Sequence, residues 1–212
     1  DVSTTTVYNA FQVGENPPQL PDRLTRISLV GTYANWKGHR LFLEAISLRH
    51  DEFRERGLLF QIIGGPVYLT TGSQVSRKDL ESVTAELGIS DIVDFYDFDP
   101  DLDAVYNKID ILVNASIQPE PFGRTLIEGM TYGKPVIAPA EGGPLEIMED
   151  GVTGFHFKPR DPDALAGAFL RAVDHPDIPG LVGAAHQVVR ERFSHEALRK
   201  RMSEIYRELT SG

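Results

Sequence analysis

Residues 120–128 read EPFGRTLIE, with a carboxylate at each end, Glu120 and Glu128. An ionised carboxylate is a pure hydrogen-bond acceptor with two oxygens, suited to the paired hydroxyls of a sugar or a ribose. Between the acids, Pro119 and Pro121 hold the chain extended, and Gly123 lets the backbone turn tightly or approach a ligand. The helix expected from Arg124 to Tyr132 starts with the unpaired amides of Gly123, Arg124 and Thr125. With the helix dipole, these amides make an anion site that a diphosphate fits. Arg124 adds charge at the same end. Glu120 precedes the turn and Glu128 lies one helical turn inside, so the two can reach opposite sides of a ligand held there. Charge-assisted hydrogen bonds of this kind contribute roughly 1.5–3 kcal/mol each. The same letters admit a plainer reading. Thr125 and Glu128 fit a capping box, Thr at the N-cap and Glu at N3, with Glu120 a surface-loop acid and Arg124 a surface cation.

A second candidate lies in GTYANWKG, residues 31–38. Lys37 follows a glycine-containing strand–helix loop and could reach phosphate as a point charge; taken alone it also reads as an exposed lysine at a helix start. Gly31, Gly64 and Gly65 either bring a ligand close to the backbone or only form strand-end turns. No G-x-G-x-x-G and no G-x-x-x-x-G-K-[ST] occurs, which removes the strongest signal for a dinucleotide or P-loop site. The six histidines lack H-x-x-x-H spacing and there is no cysteine. No metal site, bound cofactor, thiol nucleophile or disulfide is therefore expected.

The net charge is −10. Such a surface disfavours nucleic acid and anionic membrane, so a phosphate ligand needs a local positive site. No apolar run approaches the ~20 residues that span a bilayer, and no signal peptide is visible. A cytoplasmic protein is expected. The chain begins at Asp1 rather than Met, from which a fragment or a processed product is expected.

These residues need elements to hold them. Residues 1–25, with NPPQLP, read as a linker or lead-in segment, and 26–212 as one domain. Within it strand and helix signals alternate. Strands are predicted at 26–32, 58–65, 91–98, 109–116, 134–140 and 154–157. Helices are predicted at 39–50, 76–87 with Ser76 as N-cap, 102–108, 124–132 ended by Gly133, and 142–151 with Pro144 at the first position and Gly151 as the stop. Three more follow: one capped by Asp161 and running from Pro162 to about Val173, then about 180–192 and 194–210. About six strands alternating with helices describe an α/β, Rossmann-like three-layer domain with a mostly parallel sheet. Ligands of such sheets bind beyond the carboxyl ends of the strands. Three strands here end in GTY, GGP and NAS, and the loops after them are where function is sought.

At this point the letters resemble a family. EPFGRTLIE is E-x7-E and resembles the signature of family-4 retaining glycosyltransferases of GT-B fold. VGTYANWKGHRLFLEAI resembles the family's first nucleotide-domain strand and helix, QIIGGP its second glycine loop, and DFYDFDPDLDAVYNKIDILVNAS the strand–helix–strand that leads to the signature. YGKPVIAPAEGGPLEIMEDGVTGFHFKP resembles the segment after it, and VYNAF the interdomain crossover. The order and spacing of these segments are specific together, and they cover nearly the whole chain. The resemblance implies the carboxyl-terminal, donor-binding half of such an enzyme, without the amino-terminal half that holds the acceptor. It implies Glu128 on the ribose hydroxyls and Glu120 on hydroxyls of the donor sugar. Phe122, Gly123, Arg124, Thr125 and Leu126 would lie along the sugar and phosphates, mainly through backbone amides. Lys37 would neutralise the diphosphate beside Gly31, Thr32 and Gly64, and Phe95 and Tyr96 would border the base. The implied reaction moves a sugar from a nucleoside-diphosphate sugar with retention, and membrane contact would belong to the absent half.

Two positions depart from the pattern. Thr32 stands where the family often has Arg, and Asp97 where it often has Gly. Thr32 and the absent acceptor half keep a second reading open, a non-catalytic nucleotide-sugar-binding or degenerate transferase module. A different GT-B chemistry, epimerisation or phosphorolysis of a nucleotide sugar, is a third.

Overall fold

The computed structural model describes residues 5–17, 19–65 and 75–210. Six strands form one sheet: β1 Arg26–Val30, β2 Leu59–Ile63, β3 Val93–Tyr96, β4 Ile111–Val113, β5 Val136–Pro139 and β6 Phe155–Phe157. Every pairing is parallel, in the order β3-β2-β1-β4-β5-β6. β4 and β5 are buried throughout, as expected for parallel strands covered on both faces. The helices are α1 His39–Ser47, α2 His50–Glu55, α3 Arg77–Glu86, α4 Leu102–Tyr106, α5 Arg124–Thr131, α6 Gly143–Ile147, α7 Pro162–Val173, α8 Ile178–Phe193 and α9 His195–Thr210.

Strand alternation feeds two cores. Ile111 and Val113 join Phe42, Phe53, Phe60 and Phe169 beneath α1, α3 and α7. Leu112 joins Tyr106, Leu126, Met130 and Phe193 beneath α4, α5 and α8. Each covering helix repeats apolar residues every three to four positions, as Leu165, Ala166, Phe169 and Ala172 do in α7. Local signals behave as read. Ser76 makes a full capping box with Asp79 on α3, Asp161 caps α7 through the Ala164 amide, and Gly133 ends α5 at φ 65°.

Three expectations are corrected. The helix read across 39–50 stops at Ser47, and a separate helix starts at His50. The helix read across 142–151 is only Gly143–Ile147, with Pro144 at its second position. Met148 is already extended there, and Gly151 (φ 74°) serves a later turn. Finally, Thr125 caps nothing: the N-cap of α5 is Gly123, at φ 92°, with no side-chain cap. Glu128 is therefore the fifth helical residue and no capping box forms. Pro66, the last residue of GGP, lies outside the described residues.

The 1–25 segment is more than a tether where it is described. The Phe11 amide donates to the Phe193 carbonyl at 2.8 Å, and Tyr8, Phe11 and Val13 pack on the second core. At the amino end of the sheet, Asp110 is 1% exposed and accepts from the Thr25 and Arg26 amides, both at 2.9 Å. It also pairs with the Arg26 guanidinium at 2.6 Å, which holds its carboxyl below the usual range although burial opposes this. This pin fixes β1 and β4 together at one end, and the loops diverge from the other.

Candidate functional site

The strand order reverses direction between β1 and β4, the topological switch point of a doubly wound sheet. Lys37 leaves the carboxyl end of β1 and Glu120 that of β4. They are 83 residues apart, yet Lys37 Nζ donates to Glu120 Oε2 at 3.1 Å. The two loops are tied beside this pair. The Ile117 amide donates to the Trp36 carbonyl at 2.9 Å. At Gly38 (φ 71°) a β-carbon would run into the Ala115 carbonyl, so only glycine lets the loops approach this closely. The Lys37 stem lies over Gly31, whose added β-carbon would stand 3.9 Å from Lys37 Cδ. Lys37 and Glu120 are largely screened from solvent, their side chains 23% and 18% exposed.

Glu128 lies on α5, its side chain 17% exposed. Tyr106 Oη donates to its Oε2 at 3.4 Å, and Arg124 approaches its Oε1 at 3.6 Å. Burial pushes the Glu128 carboxyl above the ordinary range, while Arg124 and Tyr106 pull it back. Because Gly123 caps α5 without a side chain, the first amides of this eight-residue helix are left for water or an anion.

The loop carrying Glu120 rests on a second glycine pair. The Gly143 amide donates to the Glu120 carbonyl at 2.8 Å. A β-carbon on Gly142 would meet that carbonyl at 2.7 Å, and one on Gly143 the Phe122 carbonyl oxygen at 2.5 Å. From the other side the loop is held by its own aromatic ring. Phe122 stacks on Tyr8 with centroids 5.9 Å apart and meets Phe193 edge-on at the same distance.

The remaining expected site residues separate. Leu126 is fully buried in the second core and its amide donates to Gly123, so neither side chain nor N–H faces the loops. Arg124 is exposed, with its guanidinium 5.7 Å from the Phe11 ring. Thr125 and Thr32 are half-buried, and the Thr32 carbonyl accepts from Ala34 at 2.8 Å. Gly64 has a structural reason to be glycine, since a β-carbon there would overlap the Gly31 carbonyl on the neighbouring strand. Phe95 and Tyr96 lie on the edge strand β3, three strands from β4, or roughly 14 Å at ordinary strand spacing. Arg77 covers the Phe95 ring at 5.8 Å and pairs with Asp97 at 3.0 Å. The Tyr96 side chain stays exposed. Among the described residues no cluster of three or more His, Asp or Glu is placed to hold a metal. Nor is any helix long and apolar enough to cross a membrane.

A sequence model of the family described as glycosyl transferases group 1 matches residues 15–201. The chain belongs to this family. It is 31% identical over 176 residues to a D-inositol 3-phosphate glycosyltransferase of Streptomyces scabiei, covering 80% of this chain and 38% of that protein. It is 35% identical over 175 residues to a sucrose synthase of Acidithiobacillus caldus, covering 73% of this chain and 21% of that protein. Among solved structures, Anabaena HepE in complex with UDP and glucose matches with a TM-score of 0.79 at 23% identity, over 94% of this chain and 55% of that one. The chain thus spans less than half of these two curated relatives. Its sheet is the Rossmann-like half of a GT-B glycosyltransferase, as the resemblance implied.

For a glycosyl transferases group 1 domain, four contributors were not legible as site residues. Gly142 and Gly143 read only as the start of a helix, although a GG pair in the loop after a strand is a signal for close backbone approach. Tyr106 fell within the short helix expected at 102–108 and Tyr8 within the lead-in segment, neither with a role at the site. Their roles come from contacts between positions far apart in the chain, and no local pattern signals them.

Proposed function

We propose that this chain is the donor-binding part of a retaining glycosyltransferase, which moves a sugar from a nucleoside-diphosphate sugar to an acceptor held by another part of the protein. The observation that carries the reading is the pairing of Lys37 with Glu120 at the switch point of the sheet, on the loop that runs into the uncapped start of α5, the helix that carries Glu128. One cation and a row of free amides suit a diphosphate, and two carboxylates suit hydroxyls on either side of it. On this reading Glu128 accepts from the ribose, and Glu120 from the donor sugar. The backbone of Gly123, Arg124 and Thr125 lies along the phosphates, and Lys37 stabilises the charge that grows on the departing diphosphate. Tyr96 borders the base. Phe122 acts through its backbone, because its ring is spent on Tyr8 and Phe193. The relatives named glycosyltransferase and sucrose synthase support a sugar-transfer chemistry. No metal or other cofactor is assigned a role, and the protein acts in the cytoplasm, with any membrane contact made outside this chain.

Calorimetric titration with UDP, GDP, ADP and dTDP, then with the matching sugar nucleotides, tests the proposal. One base is expected to bind in the micromolar-to-millimolar range. Glu128→Ala is expected to abolish that binding while the melting transition is kept. A folded Glu128→Ala protein that binds like the wild type would remove the ribose role from Glu128.

A further inference from the structure

Tyr106 of α4 is a phenol only 1% exposed, in a core whose other large members are apolar. A phenylalanine would fill that space; the hydroxyl calls for a separate reason. Its partner is Glu128 Oε2, at 3.4 Å. Burial, and then the adjacent Glu128 carboxylate, push the phenol far above its ordinary range, so it remains a donor at every physiological pH. The ring itself is clamped. It lies face to face on Tyr132, with centroids 4.5 Å apart and planes 7° apart. The Tyr132 hydroxyl donates back to Asp103 Oδ1 on α4 at 2.6 Å. A stack and two hydrogen bonds therefore join α4 to the end of α5, and the whole assembly aims one O–H at one carboxylate.

We propose that Tyr106, backed by Tyr132, is a positioning residue that orients Glu128 for the vicinal ribose hydroxyls of the nucleotide. This rests on the role given to Glu128 under Proposed function. A glutamate side chain has three rotatable bonds, and one oxygen tethered from inside leaves the outward acceptor edge presented before the ligand arrives. Arg124, at 3.6 Å from the other oxygen but exposed, is the weaker constraint.

The test uses the nucleoside diphosphate that the wild type binds and its 2′,3′-dideoxy counterpart, titrated into wild type, Tyr106→Phe, Tyr132→Leu and Glu128→Ala. Wild type is expected to prefer the ribose form. Tyr106→Phe is expected to keep wild-type affinity for the dideoxy ligand and to lose about five- to tenfold of the ribose preference, the scale of one ordinary hydrogen bond and below that of a short one to a charged group, since the contact is 3.4 Å long. Tyr132→Leu, which removes the stack but leaves the Tyr106 hydroxyl, is expected to lose the preference in the same direction, and it decides the matter should Tyr106→Phe fail to fold. An unchanged preference in these variants, or an equal loss for both ligands, overturns the proposal. Glu128→Ala separates the two levels: if it keeps the ribose preference, or if wild type has none, the role of Glu128 is wrong and the positioning role falls with it.

Discussion

Gly143→Ala should disable the sugar end of the site without removing any group that touches a ligand. The Gly143 backbone is outside the left-handed region, so alanine is conformationally acceptable there. The obstacle is space. The new β-carbon would stand 2.5 Å from the Phe122 carbonyl oxygen, 2.8 Å from its carbon and 3.0 Å from the Glu120 carbonyl oxygen. Carbon and oxygen in contact lie about 3.3–3.6 Å apart, so the backbone of Glu120 and Phe122 must retreat by roughly 1 Å. Phe122 resists, because its ring is locked against Tyr8 and Phe193. Overpacking of this kind costs about 1–3 kcal/mol of stability, and a 1 Å misplacement of a reacting geometry costs about 100-fold in rate. Titration of the variant is therefore expected to show sugar-nucleotide affinity reduced by about tenfold or more, with nucleoside-diphosphate affinity reduced less, since Glu120 is the group displaced. Gly88→Ala is the control. Gly88 has φ 70° and open space around its β-carbon position, so it should cost about 1–2 kcal/mol of stability from backbone strain alone and leave binding unchanged. If Gly143→Ala is folded, destabilised, and still binds the sugar nucleotide as wild type does, then the position of the Glu120 loop does not govern donor binding and the assignment of Glu120 is refuted.

Two further outcomes follow from buried groups at the same end of the sheet. His39 is 2% exposed with neither ring nitrogen in hydrogen-bond geometry; burial pulls its pKa down to about 4, with the Ala34 carbonyl opposing and Lys37 adding to the shift. The unfolded chain binds the proton more tightly, so the stability tied to neutral His39 is present above the ordinary pKa near 6.5 and is lost as the pH falls toward 4. The loss is on the order of 3 kcal/mol. Urea melts at pH 7 and pH 4 should show His39→Leu losing less stability than wild type by about that amount, and equal losses would contradict the buried neutral state. Gly64→Ala would drive a β-carbon into the Gly31 carbonyl on the adjacent strand, and is expected to lower stability by about 3 kcal/mol or more; a variant that melts like wild type but binds ligand poorly would show that Gly64 serves the ligand rather than the sheet.

The sequence by itself determined everything that a few neighbouring residues encode. The six strands, the caps at Ser76 and Asp161 and the stop at Gly133 each depend on an apolar period or on a side chain reaching an amide within one turn. The acids of EPFGRTLIE, Lys37 and the family they resemble were legible for the same reason, since each is a residue type at a spacing. What only the tertiary structure decided is which of them meet, and how each is held. Thr125 looked like a cap, but the αL turn at Gly123 starts the helix two residues earlier and leaves Glu128 as its fifth residue, with no capping role. Phe122 was expected along the ligand mainly through its backbone, and it is Tyr8, 114 positions earlier in the numbering, that stacks on its ring. Lys37 was placed on phosphate and Glu120 on sugar, and the pairing of β1 with β4 brings them within 3.1 Å of each other. Tyr106 carried no local signal of its role and Gly143 only the generic one of a GG pair, because one acts by a hydroxyl buried against α5 and the other by the side chain that it lacks. Such contacts are set by the crossover connections and by the volume left between packed elements, and neither quantity exists until the sheet has formed.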